Sequence, residues 1–268
     1  MPIKTLFLAI TFFITAQVHA ADYDSTYQAY KNKDYDKAFS GFTELAKENH
    51  MKAQFYLGNM YREGLGVDQN YATSLDWYRK AATHGEPKAM HNVALFYHNG
   101  IFVARNIKTA ADWYEKAAEL DYIPSMTNVA RLYYKGEGID KDIARSIHWW
   151  QIAADKGSKG AQHNIGLMYF LGQGGFNKDV AKAAEWYRKA AENGSKEAQN
   201  SLGAMYFEGN GVEQDINEAY AWFSLAARAE FEQAILNVSV IEANLKEEEL
   251  EAARIRAEAY LAKYPSEK

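Results

Sequence analysis

Between residues 51 and 230, apolar and small side chains recur in fixed columns about 36 residues apart, and each period holds two stretches of helical spacing. The first stretch opens with Ala53, Ala89, Ser125, Ala161 and Ala198. Leu57, Val93, Val129, Ile165 and Leu202 stand four residues on, followed at once by Gly58, Ala94, Ala130, Gly166 and Gly203, and then by Tyr61, Tyr97, Tyr133, Tyr169 and Tyr206. Offsets of 0, 4, 5 and 8 share one face of an α-helix. The second stretch carries Ser74, Ala110, Ser146, Ala183 and Ala219, then a tryptophan, then an Ala-Ala pair. The tryptophans are Trp77, Trp113, Trp149, Trp186 and Trp222, spaced 36, 36, 37 and 36 residues apart. A fixed period of this length marks a stacked array of two-helix units. The pattern predicts five units, at 51–86, 87–122, 123–158, 159–195 and 196–230. It places the tryptophan column in the core between neighbouring hairpins, so that Trp149→Ala is expected to cost about 3–5 kcal/mol.

Glycine and short polar residues punctuate each unit. The first helix ends at Gly64, Gly100, Gly136, Gly172 and Gly209, where glycine can take the left-handed conformation that closes a helix. A second glycine stands two residues later at Gly66, Gly138, Gly174 and Gly211; unit two has Phe102 there, which predicts a locally different turn. No strand precedes these Gly-x-Gly stretches and no Lys-Ser/Thr comes after them, so they are turns and not phosphate loops. Asn70, Asn106, Asp142, Asp179 and Asp215 occupy one column and suit N-caps of the second helix. Gly85, Gly157 and Gly194 close three second helices, with Asp121 and Glu230 in the same place elsewhere. Unit four's extra residue falls in its Gly174-Gly175-Phe176 turn. Residues 21–50 read as a degenerate N-terminal capping repeat, with Asp34 as an N-cap. Residues 231–268 read as a partial repeat and then a charged capping helix with Leu250, Ala253, Ala257 and Leu261 on one stripe.

Residues 1–20 have a different character: Lys4, an apolar run from Leu6 to Ile14, and the small-x-Ala sequence Val18-His19-Ala20. This is the layout of a secretory signal peptide, and the run is short for a span, which takes about 20 apolar residues. A periplasmic location is therefore expected, with secretion as the alternative and no membrane insertion after cleavage. From Ala21 onward 29 Lys and Arg face 35 Asp and Glu, a balance that disfavours nucleic acid and anionic lipid as partners. The chain has no cysteine, which excludes disulfides, thiol catalysis and thiolate metal sites.

Written as one pattern, the unit is Ala-x3-Leu-Gly-x2-Tyr-x2-Gly-x-Gly-Val-x2-Asp, then x3-Ala-x2-Trp-Tyr-x-Lys-Ala-Ala-x2-Gly. It resembles the Sel1-like repeat, a relative of the tetratricopeptide repeat, over roughly residues 53–230. The resemblance implies an all-α fold, a right-handed α/α superhelical solenoid of helix-turn-helix repeats, and a role as an adaptor or scaffold for other proteins. Exported members of the family are similar to envelope scaffolds, sensor regulators and secreted factors that bind host proteins. A cysteine-rich exported branch is associated with β-lactam binding and hydrolysis. That branch staples each hairpin with a disulfide, which this chain cannot form. Action on cell-wall material stays as an alternative of a different class.

Candidate chemistry is sparse. His91 and His98 lie seven residues apart on one helix, about 10 Å along its axis, too far to share a metal unaided. There is no His-Glu-x-x-His or Gly-x-Ser-x-Gly. The Glu247-Glu248-Glu249 trio suits the first turn of a helix. No catalytic residue, metal or cofactor is assigned. A protein-binding surface is better supported. Offsets 2, 6 and 9 of the first helix lie beside the packed face and vary from unit to unit while the packing columns stay constant. They supply the candidate concave binding face: Phe55, Asn59, Arg62, His91, Leu95, His98, Arg131, Tyr134, His163, Phe170, Asn200 and Phe207. Aromatic, His and Arg side chains are common interface anchors.

Overall fold

A computed structural model describes residues 22–264, so the proposed signal segment lies outside the described residues. These residues form 14 α-helices and no strand. The chain divides into two compact units between His84 and Gly85. The first holds α1 (Tyr23–Lys31), α2 (Tyr35–Lys47), α3 (Met51–Glu63) and α4 (Tyr71–Thr83). The second holds α5 (Pro87–Asn99), α6 (Ile107–Glu119), α7 (Ile123–Lys135), α8 (Ile143–Asp155), α9 (Lys159–Leu171), α10 (Val180–Glu192), α11 (Lys196–Glu208), α12 (Ile216–Arg228), α13 (Glu232–Asn244) and α14 (Glu247–Lys263). Within each unit consecutive helices up to α12 pack as antiparallel hairpins, and each hairpin leans on the next first helix through its second helix; α14 packs along α12. Among the described residues no helix is long and apolar enough to cross a membrane.

The turns repeat in atomic detail. Asn70, Asn106, Asp142 and Asp179 each accept a hydrogen bond from the backbone N–H three residues on, at 2.9–3.0 Å, and Asp215 accepts two. Each of the five also donates its own N–H to the carbonyl of the column tyrosine at the end of the preceding helix, at 2.8–3.1 Å. These bonds satisfy groups that helix ends leave open. Unit two is no exception. Phe102 takes φ 62°, matching Gly66 at 67° and Gly138 at 76°, so the expected local difference is absent. The backbone keeps the turn and Phe102 bears the steric cost of a left-handed conformation. Asp121 (φ 63°) and Glu230 (φ 57°) likewise adopt the glycine geometry of their column.

The core differs from the sequence expectation in one respect. Trp77, Trp113, Trp149 and Trp186 are only half-buried. The next residue is the buried one: Tyr78, Tyr114, Trp150, Tyr187 and Phe223 are 0–3 % exposed. Adjacent residues on a helix are 100° apart, so only one of the pair can point into the seam. The seam of α4 runs through Ser74, Leu75, Tyr78, Ala81 and Ala82, and its ring is seated on Gly58, where an added Cβ would fall 2.5 Å from the Tyr78 ring. The tryptophan stands on the flank, under the lysine three residues on. Lys80 lies 4.1 Å from the Trp77 ring centre, Lys116 4.6 Å from Trp113 and Lys189 4.3 Å from Trp186. Trp222 alone in the column is buried, because α14 covers it with Tyr260, whose ring centre is 5.0 Å away.

On the first helices the tyrosine column is at the edge of the core, half-buried except for Tyr133. The residue before it fills the interior: Met60, Phe96, Leu132, Met168 and Met205 are all at most 3 % exposed. Where Gln54, Gln162 and Gln199 are buried near the start of their helices, each side chain donates to a carbonyl in the last turn of the preceding helix, at 3.1–3.2 Å. That bond supplies one of the partners a helix C-terminus lacks.

Candidate partner-binding face

The candidate residues flank the seam ring of their own hairpin. In the first unit of structure, the Phe55 ring lies 6.0 Å from Tyr78, Asn59 Oδ1 accepts a 2.6 Å bond from the Tyr78 hydroxyl, and Arg62 pairs with Glu63. All three candidates are half-buried. In the second unit of structure, His91 and His98 bracket one ring, with centroids 5.3 and 6.1 Å from Tyr114, and Leu95 packs beside them. His91 Nδ1 lies 2.8 Å from Ser125 Oγ of the next hairpin. Burial pulls the His91 pKa down to about 4, so the ring is neutral at pH 7. His98 is lowered too, first by burial and then by the positive charges of Arg131 and Arg105, and its Nδ1 has no hydrogen-bond partner.

Further along, Arg131 is exposed, held only by a 3.3 Å bond to Asn128. The Tyr134 ring sits 5.2 Å from Trp150, and its hydroxyl donates to Gln173 at 3.2 Å. His163 lies 5.3 Å from Tyr187 and its pKa is lowered by burial. Phe170 packs on the neighbouring core, Asn200 accepts a 3.0 Å bond from Asn237, and Phe207 is exposed. Structure therefore sorts the candidates. His91, His98, Tyr134 and His163 are tied to the seam rings and present one edge outward. Arg131 and Phe207 are exposed. Sequence reasoning assigns no role here to the seam rings themselves, although the aromatic directly after each tryptophan is their visible sign.

Among the described residues no group of three His, Asp or Glu is placed to hold a metal ion. A cleft of about 760 Å³ opens elsewhere, between α6 and the α7–α8 turn. Four of its lining groups are linked: Arg145 donates to the Tyr133 hydroxyl at 2.8 Å, which donates to Glu115 at 3.0 Å, while Arg145 also pairs with Asp142.

The Sel1 repeat family matches the chain five times, over residues 52–86, 87–122, 123–158, 160–195 and 196–231. Among solved structures the chain is similar to a Sel1 repeat protein from Oxalobacter formigenes, at 30% identity and a TM-score of 0.76, covering 88% of this chain and 98% of that one. It is also similar to a protective antigen of uropathogenic Escherichia coli that displays the same kind of repeat fold, at 28% identity and a TM-score of 0.59, covering 90% of this chain but 60% of that one. No curated protein matches it. Five tandem matches, each falling on a stacked helical hairpin, make this chain a member of the Sel1 repeat family.

Proposed function

We propose that the chain is exported and acts as an adaptor or scaffold, binding a protein partner through the first-helix face. Sel1 repeat proteins are generally protein-interaction scaffolds. The observation that carries the reading is the division of labour along each first helix. Offsets 0, 4, 5 and 7 are buried and nearly constant in character. Offsets 2, 6 and 9 are half-buried or exposed, and no two hairpins carry the same set of three residues there. A surface that varies over a constant scaffold is how repeat arrays encode a partner. Partly buried aromatic and histidine rings suit this use, since they lose little side-chain freedom on binding.

The N-terminal segment supports export, and so does the likeness to a protective antigen, a kind of protein that an immune response reaches. Fractionation with N-terminal sequencing tests this directly: a mature form beginning at Ala21 in periplasm or medium is expected, and an uncleaved cytoplasmic chain refutes it. For the adaptor role, affinity capture with residues 21–268 is expected to retain one partner stoichiometrically. Arg131→Glu with Tyr134→Ser is expected to release it without loss of helicity. Retention of the partner by that variant moves the site off this face. Turnover of a cell-wall fragment or β-lactam, with no partner retained, favours the alternative class.

A further inference from the structure

The array ends without completing its last hairpin. By register α13 is a first helix, with Ala234 in the column of Ala198 and Ile241 in the column of Met205, both buried. Every earlier first helix in this unit of structure pairs with the helix directly after it; α14 instead lies along α12. Consequently the seat that other first helices offer to their own second helix is empty on α13. That seat is built from offsets 2, 5 and 6. In α5 and α9 the offset-2 rings, His91 and His163, touch the second-helix ring, and in α11 an added Cβ at Gly203, offset 5, would fall 2.7 Å from Phe223. On α13 the same offsets are Leu236, Ser239 and Val240. Leu236 is 54 % and Val240 52 % exposed, and Ile235 beside them is 47 % exposed. Val240 also borders a groove shared with Phe207 and Glu208 of α11.

Leu236 and Val240, four residues apart, adjoin in water on one helix face with Ile235 exposed on its flank, and such a patch marks a docking site. Carboxylates border this seat: Glu232 at the N-terminal end of α13 and Glu208 at the groove, while Glu242 is turned toward α12, where the Tyr220 hydroxyl donates to it at 2.8 Å. A helix with basic flanks complements Glu208 and Glu232.

We propose that α13 is an acceptor for an amphipathic helix from a partner protein, one with an aromatic residue in its apolar stripe and Lys or Arg along its flanks. The partner's helix takes the place of the missing second helix, its ring over Ser239 between Leu236 and Val240, its cations facing Glu208 and Glu232. This is helix-in-groove recognition with the groove supplied by an unfinished repeat. The inference does not depend on the internal columns serving as a binding face.

The test uses residues 21–268 and, as probe, an end-capped peptide of the α10 sequence, Val180–Glu192, labelled with an uncharged fluorophore. A lactam between its exposed Glu185 and Lys189 side chains holds the helix, and the remaining charge is positive. Fluorescence anisotropy is expected to show saturable binding, weakened about tenfold or more by Leu236→Asp and by Val240→Asp, since each places a charge against buried apolar surface. Both positions are exposed, so the variants are expected to retain full helicity. Binding is also expected to weaken in high salt. Arg131→Glu, which probes the internal face, is expected to leave peptide affinity unchanged, so failure of one reading is separable from failure of the other. Absence of saturation, or equal affinity in Leu236→Asp, overturns the proposal. So does a dimer in sedimentation that Leu236→Asp disperses, because it assigns the seat to a second copy.

Discussion

Trp149 and Trp150 are the same residue type at adjacent positions, one in each of the two columns that the period alone cannot rank. Trp150 is 3 % exposed, beneath Tyr134, and its Nε1 has no hydrogen-bond partner. Trp149 is half-buried on the flank, and Ile152 stands where three sibling units place a lysine over the ring. Truncating Trp150 to Ala removes a ring burying about 150–250 Å², and the hole is walled by protein. Buried aromatic-to-Ala changes cost about 3–5 kcal/mol, of which a residual cavity contributes about 24 cal/mol per Å³. The orphan N–H disappears with the ring, which returns about 1 kcal/mol. Trp149→Ala loses part of the same area but opens onto solvent, so the cavity contribution largely vanishes and about 1.5–2.5 kcal/mol remains. The difference, about 0.5–1.5 kcal/mol with Trp150→Ala the costlier change, is measurable by urea unfolding monitored by circular dichroism. Repeat arrays can unfold in stages, so hydrogen exchange on α8 should be read alongside. Equal losses, or a larger one from Trp149→Ala, would refute the assignment of the seam to the second column.

Two more outcomes are expected from the same geometry. His91 is held neutral by burial, with a folded pKa of about 4 against about 6.5 unfolded, so its contribution is intact above pH 6.5 and is lost as the unfolded chain takes up a proton below it. Stability at pH 5 is expected to fall by roughly 2 kcal/mol from this group, and His91→Asn, the residue unit five carries at that offset, is expected to flatten the slope between pH 6.5 and 5; an unchanged slope contradicts the burial argument. Phe102 is 67 % exposed in a left-handed conformation that costs about 1 kcal/mol without a glycine, so Phe102→Gly is expected to raise stability in urea unfolding by about 0.5–1 kcal/mol and Phe102→Ala to leave it nearly unchanged. A loss of stability in Phe102→Gly would mean that the ring carries packing.

Much of this architecture was legible because repetition multiplies weak signals. One Asn before a helical stretch is a modest indication of an N-cap; Asn70, Asn106, Asp142, Asp179 and Asp215 at one register are a strong one, and all five cap. The same multiplication misled where two columns ran side by side. Trp and the aromatic after it recur with equal fidelity, and a period of 36 carries no information about which of two directions 100° apart faces the neighbour. Size favoured the tryptophan; the approach of α3 to α4 at Gly58 chose Tyr78. The first-helix core column was hidden for the opposite reason, since Met60, Phe96, Leu132, Met168 and Met205 share hydrophobicity but not identity.

Position beside the packed face could also be read from offsets alone, but the roles of the candidate residues could not. Phe170 and Phe207 occupy the same offset in successive hairpins, yet Phe170 packs on the core while Phe207 meets water. The difference lies in the elements downstream of each helix. After α9 comes another complete hairpin; after α11 and α12 comes α13, whose own partner position is vacated when α14 turns back along α12. A periodic sequence specifies the interaction of each unit with the next, so it specifies least where the period stops. Leu236 and Val240 sit at that point, and their exposure is a consequence of how the array terminates and not of any motif in α13 itself.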